Sequence, residues 1–158
     1  MSNVNYNKLI NIMMYMIIRD ALNIISLNKS ENYHVRMSFL TNANNVVIPD
    51  YLKKEYPNEM PIVLQHQFDD LVVNDCNFSI VLSFYGKKER IVVPFVAITK
   101  YVDMNCDFSV SFSERHADEI EIFLSKNCFL TTQIQNIEKQ NTSQADNIIF
   151  LNNFLKDS

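Results

Sequence analysis

The residues able to do covalent chemistry are scattered through this chain in patterns that such chemistry does not use. Asp69 and Asp70 are adjacent. Neighbouring side chains on a strand point to opposite faces, so these carboxylates cannot readily share one substrate atom for acid–base work. A solvated turn is their expected setting. A nucleophilic triad needs Ser or Cys, His and a carboxylate in one constellation, yet His34, His66 and His116 sit in no such motif and no nucleophile-elbow sequence surrounds a serine. The three cysteines, Cys76, Cys106 and Cys128, are an odd set with wide gaps, without a CxxC pair or a histidine at a ligand-like offset. Neither zinc nor a disulfide framework is indicated, and reduced thiols are expected. A single glycine, Gly86, excludes the glycine-rich loops that cradle phosphates. The sequence points away from an enzyme, a metal centre or a bound cofactor, and towards a binding module.

One polar triplet fits that class. In "YPNEMPIVLQHQFDDL" (56–71) the apolar run Met60 to Leu64 reads as a buried strand and leads straight into Gln65-His66-Gln67. An extended peptide presents unpaired N–H and C=O groups at strand spacing, and glutamine side chains satisfy both kinds. Phe68, Phe84 or Tyr85 would supply an apolar floor. The competing reading is that Gln65 and Gln67 only face water at a strand end, as exposed polar residues usually do. "GKKER" (86–90) reads as a solvated basic hairpin tip, with attraction of an acidic ligand as the lesser alternative.

The elements that would position these groups follow from periodicity. A chain of 158 residues with 47% hydrophobic and 20% charged residues has ordinary globular composition. Its net charge of −4 argues against a nucleic-acid surface, which needs a clustered basic face. The first apolar segment, Leu9 to Leu27, is uninterrupted only from Ile12 to Ile18 before Arg19-Asp20, short of the ~20 residues that cross a bilayer. No signal-peptide cleavage pattern follows. As a helix it places Ile10, Met13, Met14, Ile17, Ala21, Ile24 and Ile25 on one face. Asn11, Arg19, Asp20 and Asn23 lie opposite, with Ile12, Tyr15 and Met16 among them. That much apolar surface suits either a second copy of the helix or burial within its own domain.

From His34 to Ser113 the period is that of strands: "HVRMSFLT", "FSIVLSFY", "RIVVPF" and "DFSVSFS". Gly86-Lys87-Lys88 is a hairpin-sized gap. "PDYLKKEYP" (49–57) reads as one or two helical turns between prolines, and "PFVAITKYVD" (94–103) as another short helical turn. The expected class is mainly β within α+β: a small antiparallel barrel or two-sheet roll behind an N-terminal helix. "DEIEIFLSKNCFL" (118–130) adds an edge strand or a helix. "TTQIQNIEKQNTSQADN" (131–147) reads as a flexible linker, and "IIFLNNFL" (148–155) as an apolar patch that either docks on another protein or folds back as a terminal helix.

"YPNEMPIVLQHQFDDL" followed by "FSIVLSFYGKKERIVVPFVAITKYVDMNCDFSVSFS" resembles the SspB family, in particular its alphaproteobacterial branch. There a Tyr-Pro-x-x-Met-x-Ile-Val-Leu-Gln-His-Gln-aromatic segment precedes strand-turn-strand and a Val-Pro-aromatic-x-Ala-aliphatic-Thr stretch. The match spans roughly His34 to Ser113. The resemblance implies a cytoplasmic, homodimeric adaptor for the ClpXP protease. Such an adaptor binds the ssrA degradation tag, which tmRNA adds to stalled nascent chains, on a small SH3-like β roll and hands the tagged protein to ClpX. It implies no nucleic-acid or membrane partner, no metal and no cofactor. Carried onto this chain, Gln65, His66, Gln67 and Phe68 border the tag groove, Ser83 and Tyr85 lie on the adjoining strand, and Val93-Pro94 are nearby. The N-terminal helix, within residues 1–30, would dimerise through Met13, Met16, Ile17 and Ile24. The β domain would occupy 31–130. The tail, 131–158, would dock on ClpX through Ile148, Ile149, Phe150, Leu151, Phe154 and Leu155. The branch commonly ends in aliphatic-Ser-Leu-x-x-Phe plus basic residues; Leu151 and Phe154 hold their places here, while Phe150 replaces the serine and most of the positive charge is missing. The segment Ile120 to Leu130 has no placed counterpart. The alternative from another class is an SH3- or Sm-like RNA-binding module, against which the acidic balance speaks.

Overall fold

The computed structural model describes residues 3–29, 31–66, 68–113 and 117–126. Helix α1 spans Tyr6–Leu27, with the Asn5 side chain accepting from the Lys8 N–H at 3.0 Å. This cap satisfies one of the orphan donors of the first turn. β1 (His34–Leu40) follows, then the short helix α2 (Asp50–Glu55) set between Pro49 and Pro57 as the prolines dictate. β2 (Glu59–Gln65), β3 (Asp69–Val73), β4 (Asn77–Phe84) and β5 (Lys87–Pro94) come next. A 3-10 turn (Phe95–Ala97) leads into β6 (Ile98–Asp103), then β7 (Phe108–Ser111) and α3 (Ala117–Lys126).

The strands form two antiparallel sheets, β2-β1-β6-β7 and β3-β4-β5, which is the expected mainly β roll with an N-terminal helix. Strict alternation on β1 and β2 sends Val35, Met37, Phe39, Met60, Ile62 and Leu64 inward. They meet Phe78, Ile80, Ile91 and Phe95 from the other sheet and the 3-10 turn in one core. Each such side chain, fully buried, contributes about 1.5–3 kcal/mol of transfer free energy.

Several expectations change in detail. The β4–β5 hairpin turns at Tyr85-Gly86 rather than at Gly86-Lys87-Lys88. Both turn residues have positive φ (52° and 80°), and Phe84 pairs with Lys87. Such a two-residue turn matches the twist of its strands, and glycine takes that conformation without steric cost. Asp69-Asp70 is no free turn: both residues begin β3, with a register shift after Asp69. Only the first three residues after Pro94 are helical, and Ile98 onward is strand. The unplaced stretch from Ile120 is α3 as far as Lys126, with Ile120 and Leu124 buried in the core.

The largest correction concerns α1. By length and composition it is apolar enough to cross a membrane, but its buried side is Tyr15, Met16, Ile18, Arg19, Asp20, Leu22 and Ile25, packed into this domain. Of the face predicted to be polar, Arg19 and Asp20, with Tyr15 and Met16 beside them, turn to the core, and only Ile25 of the predicted apolar face joins them there. Tyr15 stacks on Phe112 with ring centroids 4.0 Å apart, and its hydroxyl donates to the Ile98 carbonyl at 3.1 Å. Arg19, 0% exposed, donates to the carbonyls of Leu124 (2.7 Å) and Asp75 (3.1 Å). Both bonds leave from one nitrogen, Nη1, whose two N–H groups point to different acceptors, so a single side chain ties α1 to α3 and to the β3–β4 turn. Charge in the sequence marked solvent exposure; here the charge is taken up by carbonyls that would otherwise be orphaned.

Candidate functional site

Gln65 and His66 of the polar triplet stand where β2 leaves its sheet. β2 is a sheet edge, so the backbone groups on its outer side face away from β1. Alternation turns Pro61, Val63 and Gln65 outward, each exposed. His66, also exposed, has φ +44° and bends the chain away from the strand. Between this edge and β4 lies a cleft of about 530 Å³, lined by Pro61, Ile62, Val63, Gln65, His66, Leu82, Ser83 and Phe84. Its floor is apolar, and its rim carries an amide, an imidazole and a hydroxyl. These can donate and accept hydrogen bonds.

The structure thus brings Gln65, His66 and Ser83 to one cleft. Gln67 lies outside the described residues. Phe68 is half-buried and packs against the core beside the cleft's end of β2. Tyr85 is not on the adjoining strand; it occupies the turn, 79% exposed, and its hydroxyl donates to Glu55 of α2. That hydrogen bond, helped by partial desolvation, raises the phenol from its ordinary value to about 12. Val93 and Pro94 are not brought to the cleft: both are buried, Val93 opposite Phe78 and Pro94 opposite Asn77 at the far end of the hairpin. Pro61, Ile62, Val63 and Leu82 line the cleft and were missed. The outward parity of Pro61 and Val63 with Gln65 was the signal that could have found two of them.

The basic hairpin is neutralised internally. Lys88 pairs with Asp69 at 2.6 Å, Arg90 pairs with Asp70, and Lys87 pairs with Glu89 at 3.1 Å. Accordingly the Lys88 ammonium beside Asp69 holds that carboxyl below the usual range. Through these pairs Asp69 and Asp70 link β3 to β5 across β4. Among the described residues no three or more His, Cys, Asp or Glu side chains gather as a metal site would require.

The predicted dimerisation residues divide. Met13 is 45% exposed, Ile17 and Ile24 are half-buried, and Met16 is buried in the protomer's own core. Met16 is corrected accordingly: it cannot offer its side chain to a partner without leaving that core. With Tyr6, Leu9 and Ile10, Met13 forms an exposed apolar stripe over the first turns of α1. The predicted ClpX-docking residues, Ile148, Ile149, Phe150, Leu151, Phe154 and Leu155, and the linker before them lie outside the described residues.

The family model described as SspB, Stringent starvation protein B, matches residues 9–147. No curated protein matches the chain.

Proposed function

The chain belongs to the SspB (stringent starvation protein B) family, whose members are adaptors in protein degradation, and on that premise we propose that it binds ssrA-type degradation tags and delivers tagged proteins to the ClpXP protease. The observation that carries the proposal is the cleft between the edge of β2 and β4, with Gln65, His66 and Ser83 at its rim over Ile62, Leu82 and Phe84. An edge strand offers main-chain partners to a stretched peptide, and side-chain amides capture the peptide groups that remain. The family resemblance adds Gln67 and Phe68 to the residues proposed to contact the tag. The work is non-covalent and cytoplasmic.

Delivery follows from joining two modest contacts. The cleft holds the tag while the tail from Ile148 to Leu155 holds ClpX. The linker keeps the tagged protein at a high effective concentration beside the unfoldase. A homodimer formed along the exposed stripe of α1 supplies two clefts and two tails.

Fluorescence polarisation with a labelled ssrA peptide tests the cleft. Wild-type chain binds the peptide, and Gln67→Ala or Gln65→Ala weakens binding several-fold while circular dichroism stays unchanged. Unchanged affinity in both variants places the groove elsewhere. Binding to a labelled RNA oligonucleotide and not to the peptide would overturn the adaptor reading in favour of an RNA module.

A further inference from the structure

The cleft does not end at β2. A second depression of about 430 Å³ lies on the outer face of the four-stranded sheet, lined by Arg36, Ser38, Lys100, Val102 and Met104 with Pro61, Ile62 and Val63. The last three residues also line the cleft, so the two hollows are separated only by the thickness of one strand. Register places Val63, Arg36 and Val102 in one row across β2, β1 and β6, and Pro61, Ser38 and Lys100 in the next. Arg36 and Lys100 are thus diagonal neighbours on one exposed face, roughly 7–8 Å apart at their backbones.

Their charge state in the fold sets them apart. On the other side of the cleft, Lys88 and Arg90 are neutralised by Asp69 and Asp70. Arg36 and Lys100 are exposed, and neither has an ion-pair partner among the described residues. Glu59, on the same face at the end of β2, is engaged by the Thr99 hydroxyl. Two unpaired cations side by side, on a chain of net charge −4, form a local positive patch bordered by apolar Val63, Val102 and Met104.

We infer that this face is an acidic subsite continuous with the tag cleft. In it Arg36 and Lys100 take carboxylate side chains from a peptide segment that runs over Pro61 and Val63. The inference rests on the cleft being the tag site. Neighbouring strands lie about 4.8 Å apart and an extended residue advances about 3.3 Å, so two residues past the β2 edge reach Arg36 and a third or fourth reaches Lys100. Pro61 has no N–H to present at that crossing, and the 43% exposed Val63 gives the crossing chain an apolar seat. The subsite makes the adaptor discriminate among C-terminal tags by acidic residues flanking the segment held in the cleft.

The experiment uses the full chain and three kinds of fluorescein-labelled peptide. One is the ssrA peptide; the others carry in addition two glutamates or two glutamines, placed at either end in separate peptides. At low salt the glutamate extension at one end tightens binding about fivefold over the glutamine extension, and about 0.5 M salt erases the difference. Arg36→Gln/Lys100→Gln removes that gain and binds the unextended peptide as wild type does. If the glutamates gain nothing, or the gain survives in the double variant, the subsite is overturned while the cleft stands. If the unextended peptide does not bind wild-type chain at all, the cleft reading falls and the subsite falls with it.

Discussion

Tyr85 shows how much a single position in this fold departs from its sequence setting. By parity with Ser83 it belongs to a strand, yet it sits at positive φ in the turn and its hydroxyl donates to Glu55. The carboxylate favours the protonated phenol, so the pKa rises from 10.0 to about 12. The hydrogen bond is fully present below pH 10 and is lost as pH climbs through about 12, the window between the unfolded and folded values. Glu55→Gln is expected to bring the Tyr85 titration back towards the ordinary tyrosine range, read by phenolate absorbance against a Tyr85→Phe control. A titration that stays near 12 would mean that desolvation, not Glu55, sets it. At the rim, Gln65 is exposed and its loss exposes no core. For Gln65→Ala we therefore expect a several-fold weaker tag complex, of order 1 kcal/mol, with a thermal midpoint within a degree or two of wild type.

At the scale of elements, α1 and α3 are held by one buried guanidinium. Removing Arg19 leaves the Leu124 and Asp75 carbonyls without their donor and opens a void beside Ile18 and Leu22. Arg19→Ala should cost about 3–5 kcal/mol, measured by urea denaturation. Arg19→Lys should recover only part: both bonds leave from Nη1, and lysine carries its nitrogen one bond closer to the backbone, short of that position. Leu124 is fully buried on the facing side of α3, and Leu124→Ala should cost about 2–5 kcal/mol. Because Arg19 bonds the backbone of Leu124, the two losses should be less than additive in the double variant. Full additivity would show that α3 docks without the guanidinium.

At the scale of the molecule, the proposed adaptor needs a dimer and a tethered tail. The exposed side chains of Ile10 and Met13 belong to the stripe of α1, with Tyr6 and Leu9, that the protomer's core does not use. Ile10→Glu/Met13→Glu is expected to convert a dimer to a monomer in light scattering without lowering the thermal midpoint appreciably. A Met16→Glu change should instead unfold the protomer, because that side chain lies in the core. Deleting residues 148–158 should leave peptide affinity intact and abolish the enhancement of ClpXP degradation in a reconstituted assay. Equal degradation rates with the truncated chain would remove the tail from the mechanism.

Period-2 alternation determined β1, because a two-faced sheet has one register that buries its apolar side; β2 was legible as an apolar run, but not that Pro61 and Val63 in it turn outward. Prolines bounded α2, and the Gln65-His66 rim was legible in the order of residues after the core run. Which face of α1 turns inward was not. Arg19 and Asp20 read as solvated, and only the arrival of Leu124 and Asp75, far along the chain, supplies the carbonyl partners that make burying Arg19 affordable. The same holds for Val93 and Pro94, which share a hairpin with Ser83 but lie at its buried end. Local sequence dictates where a side chain points along its own element; what it then meets is set by long-range packing, and only the tertiary structure decides that.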